Sequence, residues 1–201
     1  MSTVAIVGRP NVGKSTLYNR FLRERKAIVH EHEGVTRDRT YAEVEWCGRD
    51  FTLIDTGGII MDPRDSIETA VREQALIAVS EADLILFVVD VTAGITQMDD
   101  FIANLLHRNK KPVLVVANKV DDERFEQDIH AFHALGFGMP SEVSALNGRS
   151  TGDLLDTIID KLPNKDHKQK KEYDLKISIL GMPNAGKSTI ANTFLGKNRH
   201  I

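Results

Sequence analysis

Apolar runs of strand length alternate with amphipathic stretches of helix length along most of the chain. Strands are predicted at residues 4–7, 41–46, 51–54, 84–89 and 113–117. Helices are predicted at residues 14–23, 65–80, 97–108, 124–135 and 152–162, the last with Ser150 and Thr151 as an N-cap. This alternation is typical of an α/β fold in which helices cover both faces of a mostly parallel sheet. Residues 41–46 and 51–54 are the exception, since they form a predicted hairpin turned by residues 47–50.

One strand–loop–helix pattern occurs twice. Residues 8–15 read Gly-Arg-Pro-Asn-Val-Gly-Lys-Ser and residues 181–188 read Gly-Met-Pro-Asn-Ala-Gly-Lys-Ser, each after a short apolar run. Both match the phosphate-binding loop, whose backbone N–H groups surround a nucleotide's phosphates. We predict a first nucleotide-binding domain at 1–163, a linker at 164–174 and the start of a second domain at 175–201. Because one strand and one helix cannot bury their apolar faces, the sequence is expected to be a fragment.

Composition narrows the class of protein. The 201 residues carry a net charge of −3, so no overall basic field draws the chain to nucleic acid. Four lysines in the linker are expected to form a solvated tether rather than an RNA-binding element. The single cysteine, Cys47, excludes an internal disulfide, suits a reducing compartment and is expected to be at least half-buried. No secretory signal or membrane-spanning run is visible, which predicts a cytoplasmic protein.

The first phosphate loop predicts a role for each of its residues. Gly8 and Gly13 allow backbone conformations that a Cβ would block. Lys14 is expected to reach the β- and γ-phosphates, and the Ser15 hydroxyl to ligate Mg²⁺. Nucleotide contacts are predicted for Asn11, Val12, Gly13, Lys14, Ser15 and Thr16.

Two further motifs follow predicted strands. Asp55, at the end of one strand, is expected to hold Mg²⁺ through water, and Gly58 to offer its N–H to the γ-phosphate. Asn118, Lys119 and Asp121 follow another strand, and a carboxylate there accepts hydrogen bonds from guanine that adenine cannot donate. Lys119 is expected to cover the base plane. An ATPase or small-molecule kinase is therefore disfavoured.

Ser144 and Ala145 complete this set. They follow a further short strand, where a backbone N–H is expected to meet the guanine O6 atom. The Ser-Ala dipeptide alone is weak evidence for a base-binding site, and its interpretation depends on the other motifs.

The order of these motifs, with Gly-Val-Thr-Arg-Asp at 34–38, resembles the five guanine-nucleotide motifs of translation-factor-related GTPases. Two such domains in tandem resemble the Der (EngA) family of bacterial ribosome-assembly GTPases. The resemblance implies a P-loop NTPase (Ras-like G domain) fold and Mg²⁺-dependent hydrolysis of GTP to GDP and phosphate. It also implies a partner in the large ribosomal subunit or its rRNA, and a switch threonine at Thr36, although Thr40 lies nearby.

One position departs from the small-GTPase arrangement, because Ile59 stands where Ras-like proteins place a water-orienting glutamine. In related GTPases an asparagine of the phosphate loop helps to hold K⁺ near the phosphates. Asn11 fits this role by position, and Lys14, Thr36, Gly58 and Asn11 form the predicted catalytic set; the alternative is that Asn11 only shapes the loop. His30 and His32 are interpreted as solvated, and Arg37 and Arg39 as surface or effector contacts.

Two hypotheses on function stay open at this level. The first is a GTP-hydrolysing switch, and the second is a ribosome- or RNA-binding module with negligible hydrolysis of its own. The second phosphate loop is expected to bind no nucleotide specifically, since its partner motifs would lie beyond Ile201. Its residues are Gly181, Asn184, Gly186, Lys187 and Ser188.

Overall fold

The computed structural model describes residues 1–24, 40–58 and 67–163, together with Met182, Thr189 and Thr193. Its contacts divide the chain into two units, Met1–His167 and Lys168–Ile201. The predicted linker, residues 25–39 and 59–66, and the second phosphate loop apart from Met182 lie outside the described residues. The domain boundaries at 163 and 174 therefore stay predictions, and the account below concerns the first unit.

The first unit contains one six-stranded sheet. Its strands are β1 (Ser2–Val7), β2 (Thr40–Trp46), β3 (Arg49–Asp55), β4 (Leu84–Asp90), β5 (Val113–Asn118) and β6 (Ser141–Glu142). Their order is β2-β3-β1-β4-β5-β6, and every neighbouring pair is parallel except β2 with β3. The α-helices are α1 (Lys14–Glu24), α2 (Ile67–Glu81), α3 (Gln97–His107), α4 (Glu126–Ile129) and α5 (Thr151–Lys161).

Hydrophobic layers cover both faces of the sheet. Along β1, Val4 and Ile6 face the layer formed with α1 and α5, whereas Ala5 and Val7 face the layer formed with α2 and α3. All seven residues of β4 are buried, as expected for a central parallel strand. The predicted α/β architecture, with helices on both faces, is confirmed.

The predicted helix at 124–135 is wrong. The structure has a 3₁₀ turn at Glu123–Phe125, a single α-helical turn in α4, and a 3₁₀ segment at His130–Leu135. Ile129, Phe132 and Leu135 are buried at a spacing of three residues. Three residues per turn is the 3₁₀ repeat, so this spacing keeps one apolar edge against the core.

The hairpin between β2 and β3 is tighter than predicted. Only Cys47 and Gly48 form the turn, with φ values of 49° and 77°. Two left-handed residues are typical of the type I′ turn, which matches the twist of the strands. Cys47 is exposed, contrary to the prediction, because a side chain at the tip of a turn has little to pack against.

The start of α5 also differs from its prediction. Ser150 does occupy the N-cap, but its φ is 56° and its side chain makes no capping hydrogen bond. Thr151 instead donates from its hydroxyl to the Gly148 carbonyl at 2.9 Å. A left-handed N-cap turns its hydroxyl away from the first helical turn, so the neighbouring residue stabilises this helix end.

Candidate functional site

A cleft lies at the carboxyl ends of β1, β3 and β5. Its volume is about 490 Å³. The lining residues are Pro10, Asn11, Gly13, Lys14, Ser15, Thr16, Gly57 and Lys119. Loops that follow parallel strands meet at one edge of the sheet, which is where open α/β folds bind ligands. Five predicted nucleotide contacts, Asn11, Gly13, Lys14, Ser15 and Thr16, therefore share this cleft with Lys119.

The phosphate loop connects β1 to α1 through two left-handed residues. Asn11 has φ 66° and Gly13 has φ 95°. An asparagine adopts this conformation more readily than most residues, and a glycine pays no steric cost. The helix then begins at Lys14, so its free N–H groups point toward the cleft and favour negative charge.

Lys14 folds back onto its own loop. Its ammonium donates to the carbonyls of Gly8 at 2.7 Å and of Arg9 at 2.9 Å. Burial lowers the pKa of Lys14 from 10.5 to about 8, while Asp55 raises it and Arg9 lowers it further. The lysine thus stands at the cleft with a proton that is held less tightly than usual.

Ser15 and Asp55 face a common space beside Gly57. A Cβ added to Gly57 would lie 3.0 Å from the Asp55 Oδ1 atom and 3.6 Å from the Ser15 hydroxyl. Asp55 is buried and its Oδ1 accepts from the Gly57 N–H at 2.8 Å, while Thr56 donates to the Ile6 carbonyl at 2.6 Å. A hydroxyl and a carboxylate are oxygen ligands of the kind that Mg²⁺ prefers, so this donor set fits the predicted ion.

Asn118 joins the phosphate loop to the loop after β6. Its Nδ2 donates to the Val12 carbonyl at 2.8 Å, and its Oδ1 accepts from the Ala145 N–H at 3.0 Å. A Cβ on Gly13 would overlap the Asn118 amide nitrogen. The buried Asn118 side chain therefore holds two loops in register, in addition to its position beside the predicted base site.

Asp121 and Ser144 form a second group, which does not border the cleft itself. The Ser144 hydroxyl donates to the Asp121 Oδ1 at 2.5 Å, and the Asn147 side chain donates to the same oxygen at 3.2 Å. Asp121 remains exposed, so its carboxylate is accessible to a ligand. These contacts fix the orientation of the carboxylate predicted to accept from guanine.

Lys119 lies between the cleft and β4. Its φ is 70°, and its ammonium donates to the Asp90 Oδ2 at 2.6 Å. Burial raises the pKa of Asp90, but hydrogen bonds from Lys119 and Thr92 outweigh it and lower the pKa below its ordinary value. The lysine is thereby anchored at its charged end, with its aliphatic stem bordering the cleft.

Sequence analysis missed two residues that support the base side. Asp90 ends a buried strand and accepts hydrogen bonds from the N–H and hydroxyl of Thr92 at 3.0 and 2.7 Å. The Asp-x-Thr sequence after a predicted strand could have indicated this turn. Arg20, on α1, donates from Nε to the Ala145 carbonyl at 3.0 Å and from Nη2 to the Leu146 carbonyl. An arginine on a helix gives no local sign of such a contact.

Some predicted residues lie outside the described part of the chain. They are Thr36, Ile59, His30, His32, Arg37, Arg39 and, in the second phosphate loop, Gly181, Asn184, Gly186, Lys187 and Ser188. Gly58 is described as the last residue of the 3₁₀ turn Thr56–Gly58. Within the described residues no group of three or more His, Cys, Asp or Glu could hold a metal, and no helix is long and apolar enough to cross a membrane.

Known proteins resemble this chain along its whole length. A sequence profile described as 50S ribosome-binding GTPase matches residues 3–119. GTPase Der from Porphyromonas gingivalis is 48% identical over 199 residues, which are 98% of this chain and 46% of that protein. The chain thus spans about half the length of the curated relatives it matches. The predicted resemblance to Der is confirmed.

Solved structures agree with the sequence comparison. Era from Aquifex aeolicus bound to GDP.AlF4⁻ has a TM-score of 0.66 and 30% identity, covering 89% of this chain and 63% of that one. Era in complex with MgGDPNP and nucleotides 1506–1542 of 16S ribosomal RNA has a TM-score of 0.64 and 32% identity, covering 87% and 62%. The predicted P-loop NTPase fold of the G-domain type is confirmed.

Proposed function

The chain belongs to the family of 50S ribosome-binding GTPases, and from this premise we propose that it binds GTP in the described cleft and hydrolyses it to GDP and phosphate. The observation that carries the proposal is the Asn118 side chain, which ties the phosphate loop to the loop of Ser144 and Ala145. Phosphate-binding and base-reading groups are thereby held at a fixed separation. A fixed separation lets one bound nucleotide contact both groups at once, and positioning of this kind is the main protein contribution to phosphoryl transfer.

On the phosphate side, Lys14 exchanges its two carbonyl partners for phosphate oxygens when nucleotide enters. The backbone N–H groups of Asn11, Val12 and Gly13, with those of Ser15 and Thr16, surround the phosphates. Ser15 would ligate Mg²⁺ directly and Asp55 would hold it through water; an ion bound there would supply positive charge against the charge that develops on the transferring phosphoryl group. Thr36, outside the described residues, is proposed to complete the ion's ligands, and Gly58 to donate its N–H to the γ-phosphate.

On the base side, Asp121 accepts from the guanine N1–H and 2-amino groups. The Ala145 N–H already donates to the Asn118 side chain. A backbone N–H that donates to the guanine O6 atom would therefore come from another residue of the loop that contains Ser144. Lys119 covers the base with its stem. An adenine would leave the Asp121 carboxylate unpaired, which is the physical basis for the rejection of ATP.

A competition experiment with GDP and ATP tests this preference for guanine. We expect unlabelled GDP to displace fluorescently labelled GDP, whereas ATP in large excess does not. Asp121→Asn should reverse the hydrogen-bonding direction and weaken GDP binding by about 100-fold, while favouring a xanthine base that carries an acceptor in place of the 2-amino group. Asp128→Asn, a change of the same kind on the short helix α4, is the control. Efficient displacement by ATP would contradict the proposal.

Potassium activation is a second part of the proposal. Asn11 borders the cleft, is exposed and has a left-handed backbone with a φ of 66°. A K⁺ ion beside its amide oxygen would offset transition-state charge, as an arginine does in other GTPases. Faster single-turnover hydrolysis in K⁺ than in Na⁺ is expected. Asn11→Ala should abolish the difference and Asn11→Asp, which retains an oxygen, should keep part of it; an unchanged ratio in Asn11→Ala refutes the idea.

The biological role is proposed from the relatives. The matching family is that of 50S ribosome-binding GTPases, and one of the similar structures is an Era complex with 16S ribosomal RNA. We infer a conformational switch in large-subunit assembly, in the cytoplasm, with the subunit or its rRNA as partner. Nucleotide-dependent pelleting with 50S subunits tests this role. Calorimetry that finds one GTP site per chain would agree with a second phosphate loop, including Lys187 and Ser188, that binds no nucleotide specifically.

A further inference from the structure

Asp90 and Arg9 take no part in the proposed chemistry, yet both lie where the two halves of the cleft meet. Asp90 is the last residue of β4 and is buried, and no direct contact with the nucleotide is predicted for it. Arg9 is the second residue of the phosphate loop, and its side chain is only 17% exposed. A buried carboxylate and a nearly buried guanidinium beside a ligand cleft need a physical explanation.

The two oxygens of the Asp90 carboxylate have different hydrogen-bond partners, one close in the sequence and one distant. Its Oδ1 accepts both bonds from Thr92, which fixes the turn after β4. Its Oδ2 accepts from Lys119 at 2.6 Å, across 29 residues of chain. The Lys119 backbone is left-handed at φ 70°, a conformation that is unfavourable outside glycine and persists where surrounding contacts enforce it.

The same Oδ2 atom also attracts the phosphate loop. Arg9 Nη2 lies 3.9 Å from it, and Arg9 Nε lies 3.4 Å from the Oδ2 of Asp99, a fully buried residue at the start of α3. Neither Nε nor Nη2 of Arg9 makes a hydrogen bond within the described residues. Electrostatic attraction, rather than directed hydrogen bonds, therefore holds the guanidinium there. The Arg9 carbonyl, in turn, accepts from the Lys14 ammonium at 2.9 Å.

These contacts form one continuous path through the described residues. It runs from Lys14 to the Arg9 carbonyl, through the Arg9 side chain to Asp90, and from Asp90 to Lys119. Two cations, one from each half of the cleft, share a single anionic oxygen. Any movement of one cation changes the field at the other, because both interact with the charge of the same buried carboxylate.

We propose that Asp90 is a positioning residue that couples the phosphate loop to the base-covering Lys119 through its shared Oδ2 atom. The inference rests on the proposed function, since it concerns the affinity of the same cleft for a guanine nucleotide. The proposal predicts that the two substitutions do not act independently. The loss of GDP affinity in the double variant should differ from the product of the losses caused by substitution of Arg9 and of Lys119 alone. Removal of the Asp90 charge makes the two effects independent.

The experiment is a double-mutant cycle measured in two backgrounds. Arg9→Gln and Lys119→Met, singly and together, are compared by the Kd of fluorescent GDP in the full chain with Mg²⁺. Lys119→Met retains the aliphatic stem, so it removes the ion pair more than the cover over the base. We expect the double variant to differ about fivefold from the product of the single effects. In the Asp90→Asn background that difference should vanish.

Two further variants separate coupling from general loosening of the fold. Arg9→Lys keeps the charge near Asp90 and should restore part of the coupling, which a purely structural role for the guanidinium would not predict. Asp122→Asn makes the same chemical change at a surface carboxylate that pairs with Arg124 at 2.9 Å, and should leave the coupling unchanged. The melting temperature of each variant, recorded without nucleotide, identifies any that fails to fold; for such a variant Asp90→Ser provides a second neutral background.

The outcomes are distinct. Multiplicative effects of Arg9→Gln and Lys119→Met in the unsubstituted background overturn the inference while leaving GTP binding intact. Coupling of equal size in the Asp90→Asn background also overturns it, because some other contact would then carry the signal. Failure of the unsubstituted chain to bind GDP at all would overturn the proposed function, and this inference with it.

Discussion

In the phosphate half of the cleft, the loop of Lys14 closes largely on its own neighbours in the sequence, whereas the base half is assembled from loops that lie far apart in the chain. Lys14 bonds to carbonyls five and six residues before it. Asp121 depends on Ser144, 23 residues away, and the carbonyl of Ala145 depends on Arg20, 125 residues away. The hydrogen bonds of Lys14 need only β1, the phosphate loop and α1, but the base half requires the complete sheet. Changes in the two halves should therefore have different signatures.

The largest effect is expected from Lys14→Met, which removes charge at the reacting phosphates. Loss of one such electrostatic contact costs about 100- to 1000-fold in rate, so single-turnover GTP hydrolysis should fall by that factor. Because burial lowers the pKa of Lys14, the folded chain holds this charge at a cost in free energy below pH 8, so the thermal stability of the empty chain should rise rather than fall. Lys110→Met, at an exposed lysine, is the control. A fall in hydrolysis of less than tenfold would mean that another group supplies the charge.

Gly13→Ala tests the contact at which the two halves touch. The new methyl group would overlap the Asn118 amide at a backbone φ of 95°, so both halves should be disturbed together. We expect a loss of about 2–4 kcal/mol in the free energy of unfolding by urea, and roughly tenfold weaker GDP binding.

The matched control is Gly138→Ala. Gly138 has a φ of 89° but open space around its Cβ position, so it isolates the backbone cost of about 1 kcal/mol. Equal losses of unfolding free energy at the two positions would show that the Asn118 side chain moves aside easily and does not hold the two loops rigidly.

The lowered pKa of Lys14 gives a pH signature confined to the phosphate half. Its pKa is 10.5 in the unfolded chain and about 8 in the fold, so between these values the unfolded state binds more protons. The empty chain should therefore gain about 1–3 kcal/mol in unfolding free energy as pH rises from 8 toward 10.5. Nucleotide affinity should move the opposite way, falling up to tenfold per pH unit above 8, because phosphate binds the protonated lysine.

Measurements at pH 7.5 and 9.5 check both signs. Urea unfolding gives the stability of the empty chain, and fluorescence titration gives the affinity for GDP. Lys14→Met should remove both dependences. A pH dependence of GDP affinity that persists in this variant would assign it to a different group.

The smallest effect is expected in the base half, from Arg20→Met. The substitution removes donors to the carbonyls of Ala145 and Leu146 without touching the phosphate loop. The loop of Ser144 should become less ordered, and GDP should dissociate about fivefold faster by stopped-flow measurement. Hydrolysis of bound GTP in a single turnover should stay unchanged. Arg23→Met, at an exposed arginine of the same helix, should alter neither rate.

Local patterns in the sequence identified most of the sheet and the phosphate half of the cleft. The strands β1, β4 and β5 are continuous apolar runs, and Gly13, Lys14 and Ser15 belong to a motif whose chemistry is contained in eight consecutive residues. The prediction failed at residues 124–135, where the structure has 3₁₀ segments around a single α-helical turn, and at Cys47, whose side chain is exposed in the turn instead of being at least half-buried.

Tertiary structure alone decided how the remaining side chains act together. The sequence placed Asn118 beside the base site, but only the fold made it a link between Val12 and Ala145. Arg20 and Asp90 carry no motif that marks their partners, because those partners come from other strands and helices. Residue types and short spacings determine which chemistry a loop can perform; the packing of the sheet determines which loops meet, and hence whether that chemistry is assembled at one cleft.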